Sequence, residues 1–417
     1  MGELGKTENI RIMRNVNLLT SSEKIKRKNA LLDISKELFG EGCCLVNEEE
    51  LNNIFCDISI SLLKTLSDDA EICRELGISL IRNFLLYLPV HEKYLSKVMP
   101  YLSQRIGDQK IIEPSEEIRL LLIQLLSLIV DRYGVLLSPY LNELVKILSN
   151  TVLDPYPVVK RESCECISLV ANSLSKQFHL QSESLVKPTV NALTHQHYKV
   201  RLSAVNAISD IIRYGNSKSV DDVIGPLAER LFDSNSNVRL AVARAAGNWL
   251  LNFSDRYSYF HKILPLILTC LMDEIPDVKD KTLEYWESAG KQYETENDEE
   301  LKDVKNYSFS TPSHYPQIAR PRLGCRILVK NNFSKILPAL IKELGDWTSE
   351  VRLKSACLLY QLILHLENNV TLNLEKVLTG MYFAAGDEEE SIVKQVEKSA
   401  ELIGYFVPPD VYCGLRL

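Results

Sequence analysis

Few residues in this 417-residue sequence have types and spacing suited to catalysis or metal binding. Cys164 and Cys166 flank a single residue, whereas the paired cysteines of structural zinc sites are usually two to four residues apart. His195 and His197 are equally close, with no third ligand nearby in the sequence. Glycine-rich phosphate loops and the nucleophile and metalloprotease motifs of common hydrolases are missing. We therefore expect no enzyme activity, no metal and no cofactor.

Composition narrows the class of partner. The net charge of −7 disfavours nonspecific binding to nucleic acid or to anionic membranes. The most apolar stretch, Leu120 to Val130, is too short to cross a bilayer, so we expect a buried helix there. No apolar segment of signal-peptide length follows Met1, so the ten cysteines are expected to be free, buried thiols in the reducing cytoplasm. Proteins are the expected partners.

An acidic residue stands six positions before a basic residue at regular intervals along the chain. The pairs are Asp68 and Arg74, Glu113 and Arg119, Asp154 and Lys160, Asp233 and Arg239, Asp273 and Lys279, and Asp346 and Arg352. One further copy has His195 ahead of Arg201, and a weaker first copy has Ser22 and Lys28 in the two slots. Successive basic residues are 45, 41, 41, 38, 40 and 73 positions apart, which indicates a repeat of about 40 residues.

Each basic residue begins a helical pattern. Counted from Val238, apolar or small residues fall at offsets 0, 4, 7, 8, 11 and 12, which form one stripe on a helix. The other copies share these offsets. A second amphipathic segment lies about half a period earlier, and a proline recurs near its expected start. These prolines are Pro100, Pro139, Pro188, Pro226, Pro265 and Pro338.

Two helices in about 40 residues predict HEAT-type repeats, which must stack because one unit cannot bury its apolar face alone. The sequence therefore predicts an all-α, right-handed α-solenoid of about nine HEAT-type helical hairpins, with residues 1–417 as a single array. The long interval of 73 residues is interpreted as an acidic, proline-containing loop insertion at residues 291–322. Residues 405–417 are interpreted as the start of a further, truncated repeat.

The acid–base pairs are interpreted as a structural ladder. A carboxylate in the turn between two helices can accept hydrogen bonds from the free N–H groups that begin the second helix. The base six residues later is expected to reach the acid of the adjacent repeat. An exposed ion pair is worth only about 0–1 kcal/mol. We therefore expect these pairs to set the register of stacking and to have no catalytic role.

Positions that point away from the core form the candidate partner surface. Offsets 6 and 13 of the second helices carry polar residues of both charges and some apolar ones, which suits a protein ligand better than phosphate. The positions expected to contact a partner are Asn206, Arg213, Arg244, Glu284 and Lys291.

Two segments carry a more particular signature. RPRLGCRILVKNNFSKILPALIKELGDW, from Arg320 to Trp347, and KSAELIGYFVPPDV, from Lys398 to Val411, resemble the dynein axonemal assembly factor 5 family of HEAT-repeat proteins. The resemblance implies a scaffold in the cytoplasm of ciliated cells, including foci of dynein assembly, that helps to preassemble outer and inner dynein arms for motility. It implies axonemal dynein heavy or intermediate chains and co-chaperone assembly factors as partners. No catalytic or cofactor residue follows from it.

Two other function classes fit an array of helical repeats. One is a different HEAT adaptor, such as a karyopherin-like carrier or a phosphatase scaffold, with Ran or phosphatase subunits as its partners. The other is an enzyme on a helical-repeat scaffold, which requires a pocket of clustered titrating groups away from the ladder positions.

Overall fold

The computed structural model describes residues 4–40, 43–108, 110–307 and 315–413. Within these ranges the regular secondary structure is helical, apart from one isolated bridge between Phe39 and Cys44. The contacts divide the chain into two compact units, Met1–Ser219 and Val220–Leu417. The all-α prediction is confirmed, while the arrangement of residues 1–417 as one right-handed array stays a prediction.

The first unit stacks its helices in two rows. The even-numbered helices pack each on the next, and so do the odd-numbered helices. This is the packing expected of hairpins that cover one another's apolar faces. The helices are α1 (Leu4–Leu18), α2 (Lys24–Leu38), α3 (Glu48–Lys64), α4 (Glu71–Tyr87), α5 (Glu92–Ile106), α6 (Glu116–Tyr133), α7 (Leu141–Thr151), α8 (Pro157–Ser173), α9 (Glu183–Ala192) and α10 (Tyr198–Tyr214).

The second unit continues the pairwise order with two additional short helices. Its helices are α11 (Val220–Glu229), α12 (Ser236–Asn252), α13 (Arg256–Cys270), α14 (Pro276–Glu296), α15 (Asp298–Tyr307), α16 (Leu323–Leu344), α17 (Ser349–Leu366), α18 (Leu374–Ala384), α19 (Glu390–Phe406) and α20 (Pro409–Cys413). With α15 and α20 set aside, the described helices of both units form nine consecutive pairs, in agreement with about nine hairpin repeats. That α20 belongs to a further repeat stays a prediction.

The stripe of apolar residues predicted for each second helix forms the core. Val238, Val242, Ala246 and Trp249 on α12 have no exposed surface. The segment Glu116–Thr151 is long and apolar enough to cross a membrane by length and composition alone. However, α6 ends at Tyr133, and most of its apolar side chains are buried where it packs against α4, α5 and α8. This is the environment of a core helix, as the sequence predicted.

The recurring prolines differ from the expectation that they stand near helix starts. Five of them lie inside the first helices of their pairs, and Pro139 lies in a 3₁₀ turn before α7. An internal proline removes one backbone hydrogen bond and bends the helix, but tertiary packing outweighs this cost here. The five internal prolines are Pro100, Pro188, Pro226, Pro265 and Pro338.

The interpretation of residues 291–322 as a loop is wrong for much of the segment. Helix α14 continues to Glu296, and α15 follows almost at once. The residues of this stretch are good helix formers, and Tyr293 and Leu301 bury their side chains, which holds the helices in place. Residues 315–322 precede α16 without a helix. Residues 308–314 lie outside the described ranges.

Helices α14 and α16 approach each other at two glycines. A Cβ atom on Gly324 would collide with the carbonyl oxygen of Gly290, and one on Gly290 would collide with Sγ of Cys325. Only residues without a side chain permit the two backbones to come this close. The crossing fixes the start of α16 against α14.

We expect the substitution Gly324→Ala to lower the free energy of unfolding by about 1–3 kcal/mol, because a methyl group must be forced between packed backbones. Gly225→Ala on α11 is the matched control, since a Cβ there meets no atom within 4 Å. The control should raise stability by about 0.5–1 kcal/mol through helix propensity. Urea unfolding followed by circular dichroism measures both. Equal shifts in the two variants would contradict the close crossing.

Candidate functional site

Each acidic slot begins its second helix in the same way. The Asp154 carboxylate oxygen Oδ1 accepts a hydrogen bond from the N–H of Tyr156 at 2.8 Å, which satisfies a free donor at the start of α8. The base six residues later folds back over the turn. Arg119, for example, donates from Nη1 to the backbone oxygen of Glu113 at 3.0 Å. The turns that carry an arginine at this position are thus closed by their own capping side chain and their own base.

The same arginines reach the acid of the next repeat and form the ion-pair ladder. Arg119 grips Asp154 with two hydrogen bonds, Nε to Oδ2 at 2.7 Å and Nη2 to Oδ1 at 3.0 Å. This paired geometry is the strongest arrangement of an arginine with a carboxylate. The other pairs are Arg27 with Asp68 (2.6 and 2.8 Å), Arg74 with Glu113 (2.8 Å), Arg239 with Asp273 (2.7 and 3.0 Å) and Arg352 with Asp387 (2.6 and 3.0 Å).

The ladder pairs are more buried than expected of surface ion pairs. The side chains of Arg239 and Asp273 are only 9% and 3% exposed. Burial is the largest influence on the Asp273 carboxyl and raises its pKa, but hydrogen bonds from Arg239 and the Ile275 N–H, with the arginine charge, hold the pKa below its ordinary value. Removal of the arginine from such a pair leaves an isolated buried carboxylate. The loss of stability therefore exceeds that caused by breaking an exposed ion pair.

The structure adds two ladder members that the sequence pattern missed. The first base is Arg27, one position before Lys28, and it donates to the backbone oxygen of Ser21 at 2.8 Å. Ser21 takes the acidic slot, because its hydroxyl accepts the N–H of Glu23 at 3.3 Å. At the other end, Asp387 supplies the partner of Arg352. A search for a capping side chain followed six residues later by arginine would have found Ser21 and Arg27. Asp387 has only the acid of the pattern, because no base follows it six residues later.

The ladder is interrupted at two lysines. Lys160 donates to the backbone oxygen of Val152 at 3.4 Å and makes no ion pair within the described residues, and burial lowers its pKa. The next acidic slot holds His195, whose Nδ1 accepts the N–H of His197 at 3.1 Å. The imidazole therefore caps the helix as a carboxylate would, but it supplies no negative charge. Burial first, and then the charge of Lys160, lower the pKa of His195. A neutral imidazole beside a lysine avoids a repulsive pair.

The remaining ladder positions keep the turn contacts. Arg201 is buried and donates to the backbone oxygen of His195 at 2.8 Å, and Asp233 accepts the N–H of Asn235 at 3.0 Å. Asp346 accepts the N–H of Thr348 at 2.8 Å. In contrast, the Lys279 side chain is exposed and has no ion pair within the described ranges. This second interruption coincides with the long interval.

The candidate partner positions are placed mostly as expected. Asn206, Arg244, Glu284 and Lys291 are exposed on second helices of their pairs. Arg213 is half-buried instead, because its guanidinium packs 4.9 Å from the ring centre of Tyr214. Contact of these residues with a partner stays a prediction.

The close cysteines and histidines are arranged for packing. Cys164 and Cys166 are completely buried on α8, and burial raises the pKa of each thiol to about 12. Both are therefore neutral thiols at physiological pH. Within the described ranges no group of three or more metal-ligating side chains comes together. The described cysteines are free, but Cys43 and Cys56 are exposed, which differs from the expectation of buried thiols.

Two family models together match most of the chain. Residues 18–304 match the family described as dynein axonemal assembly factor 5-like, TPR repeats. Residues 313–417 match the dynein axonemal assembly factor 5 HEAT-repeat domain. The chain belongs to the dynein axonemal assembly factor 5 family.

Proteins called dynein axonemal assembly factor 5 from three organisms are similar to this chain. The Xenopus laevis protein is 44% identical over 407 residues, covering 97% of this chain and 48% of that protein. The Homo sapiens protein is 45% identical over 361 residues, covering 85% and 42%. The Drosophila melanogaster protein is 31% identical over 403 residues, covering 94% and 47%. The chain therefore spans about half the length of the curated relatives it matches.

The repeats of residues 18–304 have HEAT geometry, although that part of the family is described by TPR repeats. TPR units are about 34 residues long, whereas the intervals before the long one run from 38 to 45 residues here. The arginine–carboxylate link from turn to turn occurs in the first matched region, as at Arg119 and Asp154, and again in the second, at Arg352 and Asp387. One repeat type accounts for both matched regions.

The signature segment that begins at Arg320 supplies other ion pairs where the ladder is interrupted at Lys279. The Glu367 carboxylate, buried at the end of α17, is held by Arg320 at 2.6 and 2.7 Å and by Arg326 at 2.9 Å. Glu294 caps the start of α16 by accepting the N–H of Gly324 at 2.8 Å. The RPRLGCR run thus ties α14, α16 and α17 together where Lys279 does not.

A buried histidine lies beside this cluster. Nε1 of Trp286 donates to Nε2 of His365 at 2.9 Å, so Nδ1 must carry the imidazole proton, and it donates to the backbone oxygen of Gln361 at 2.6 Å. Sγ of Cys325 lies 3.3 Å from the backbone oxygen of Trp286. Burial lowers the pKa of His365 to about 4, so the ring is neutral at physiological pH.

We expect Arg239→Ala to lower the free energy of unfolding by about 3 kcal/mol, because Asp273 is left buried without its partner. Lys279→Ala, the same change at an interrupted position, should change it by less than about 0.5 kcal/mol. The double variant Arg239→Met with Asp273→Asn, which removes both charges and keeps an acceptor for the Ile275 N–H, should recover part of the loss. Urea unfolding checks all three. Equal effects at Arg239 and Lys279 would exclude a structural role for the ladder.

We also expect a pH dependence from His365. Its folded pKa of about 4 lies below the ordinary value of 6.5, so the unfolded chain binds the extra proton first as the pH falls. The stabilisation is complete above pH 6.5 and is lost between pH 6.5 and 4, by up to about 3 kcal/mol. Urea unfolding of His365→Gln should show a flatter profile over this range, whereas the exposed-site control His179→Gln should follow the unsubstituted chain. Parallel profiles would refute the assignment.

Proposed function

We propose that this chain is a non-enzymatic scaffold for the cytoplasmic preassembly of axonemal dynein arms. The observation that carries the proposal is its membership of the dynein axonemal assembly factor 5 family, with 44% identity to the Xenopus laevis protein across 97% of the chain. Proteins with that name are, by their name, factors in the assembly of axonemal dynein. The proposed partners are dynein heavy or intermediate chains and co-chaperone assembly factors.

The repeat geometry supports a binding role without chemistry. The most buried titratable groups of the turns are used in pairs between repeats, and the burial-shifted His365 is hydrogen-bonded on both ring nitrogens. A stack held in register by buried pairs presents its exposed side chains at regular intervals. Such a surface suits recognition of an extended protein client.

The partner positions of the second unit give a direct test. A ciliated cell depleted of its own factor is supplied with the unsubstituted chain or with the triple variant Arg244→Glu, Glu284→Lys and Lys291→Glu. The unsubstituted chain should co-purify with dynein heavy or intermediate chains. The variant should lose that association while it keeps its helix content, since all three residues are exposed.

The matched control changes charge on first helices of the same unit, Asp222→Lys with Lys342→Glu, both of them exposed. It should bind dynein chains like the unsubstituted chain. Purification of Ran or phosphatase subunits in place of dynein chains would overturn the proposal in favour of another HEAT adaptor. If the control and the triple variant lose the association with dynein chains equally, the three substituted residues are not the partner surface.

A further inference from the structure

The second unit contains an apolar groove of about 500 Å³ between α11, α13, α16 and α17. Its volume lies within the range of protein sites that bind ligands or peptide side chains. The groove is also open to solvent along one side, so an extended segment can enter it. Its apolar lining includes Ile224, Phe232, Leu266, Ile336, Ala339 and Leu358.

The groove follows from the irregular junction at the long interval. Helix α14 packs along α16, and α13 contacts both α16 and α17 instead of a single neighbouring first helix. The ladder contact that would join these repeats ends at the exposed Lys279. On the opposite wall, Gly225 leaves further space, because a Cβ there meets no atom within 4 Å. The opening is thus built into the repeat stack.

Two lysines without ion pairs line the groove. Lys335 and Lys354 form no ion pair with any described residue. His261 lies in the same lining, where burial first, and then the charge of Lys335, lower the pKa of its ring. Positive charge from the two lysines is therefore available to a ligand.

The lining carries more lysines than carboxylates: Lys262, Lys335 and Lys354 against Glu229 and Glu343. Lys262 pairs with Asp221, and Glu229 pairs with Arg230 at 3.4 Å. Glu343 accepts a hydrogen bond from Ser355 at 3.1 Å, and burial raises the pKa of its carboxyl. The lining therefore has an excess of basic side chains, although the chain as a whole is acidic with a net charge of −7.

We propose that this groove binds an acidic amphipathic segment of a partner protein. Apolar side chains on one face of such a segment fill the floor, as in helix-in-groove recognition, and its carboxylates meet Lys335 and Lys354. Charge complementarity of this kind selects the partner and speeds association. The proposal deepens the proposed scaffold function and rests on it for the presence of a protein client.

A labelled peptide tests the groove directly. The probe is a fluorescein-labelled peptide of about 18 residues, with leucine at i, i+3, i+4 and i+7 spacing and glutamate between. Two control peptides carry lysine in place of glutamate or the same residues in scrambled order. Fluorescence anisotropy with the purified chain should give a Kd for the acidic amphipathic peptide at least about tenfold below both controls.

Variants of the chain locate the site. Gly225→Trp fills the groove and should raise the Kd at least about tenfold, while Gly404→Trp on α19, where a Cβ is equally free of neighbours, should leave it unchanged. Lys335→Glu with Lys354→Glu should also weaken binding. Its control, Lys330→Glu with Lys342→Glu, changes two exposed lysines of α16 outside the groove. Circular dichroism verifies that each variant folds.

The outcomes separate this proposal from the broader function. Unchanged affinity in Gly225→Trp and in the lysine pair, or equal binding of the basic peptide, overturns the groove assignment whatever the cellular result. Peptide binding that depends on the groove supports it even if dynein chains fail to co-purify, because that failure concerns the client. If Gly225→Trp loses co-purification with dynein chains and Gly404→Trp keeps it, the groove is part of the surface that binds the dynein client.

Discussion

The buried arginine–carboxylate link between consecutive turns is the interaction on which the regular repeats depend. One guanidinium holds the backbone oxygen of its own turn and the carboxylate of the next, as Arg119 does with Glu113 and Asp154. Because a lone charge is costly to bury, the two repeats must meet in the register that completes the pair. Apolar packing supplies most of the stability, but it is less demanding about register than a two-pronged hydrogen bond.

The same constraint explains the places where the repeat changes. A lysine cannot grip a carboxylate and a backbone turn with one planar group, and both interruptions, at Lys160 and Lys279, carry lysine. Near the second, Arg320 and Arg326 hold Glu367 instead, and α14 and α16 cross at Gly290 and Gly324. The irregular stacking that results opens the apolar groove of the second unit. The signature segment and the groove thus lie at the same place, where the repeat becomes irregular.

The proposed scaffold function depends on surfaces more than on reactive groups. The buried titratable residues serve the turns and the core, and the neutral, doubly hydrogen-bonded His365 illustrates how a group with a strongly lowered pKa can be structural. In the proposal, a client protein contacts the exposed residues of the second helices and the lysines that line the groove. The proposed role in dynein preassembly calls for an extended and specific surface of this kind.

Periodicity in the sequence was sufficient to determine the helical hairpins, their approximate number, the buried stripe of α12 and most ladder members. These features follow from local signals, namely the 3.6-residue spacing of apolar residues and the six-residue step from acid to base. The helices within residues 291–322, the roles of Ser21, Arg27 and Asp387, and the burial of the ladder were decided by tertiary structure. The ion pairs of Arg27 and of Asp387 join residues 41 and 35 positions apart, a separation that no local pattern reports. The groove is the clearest case, since four helices create it and no single helix encodes it.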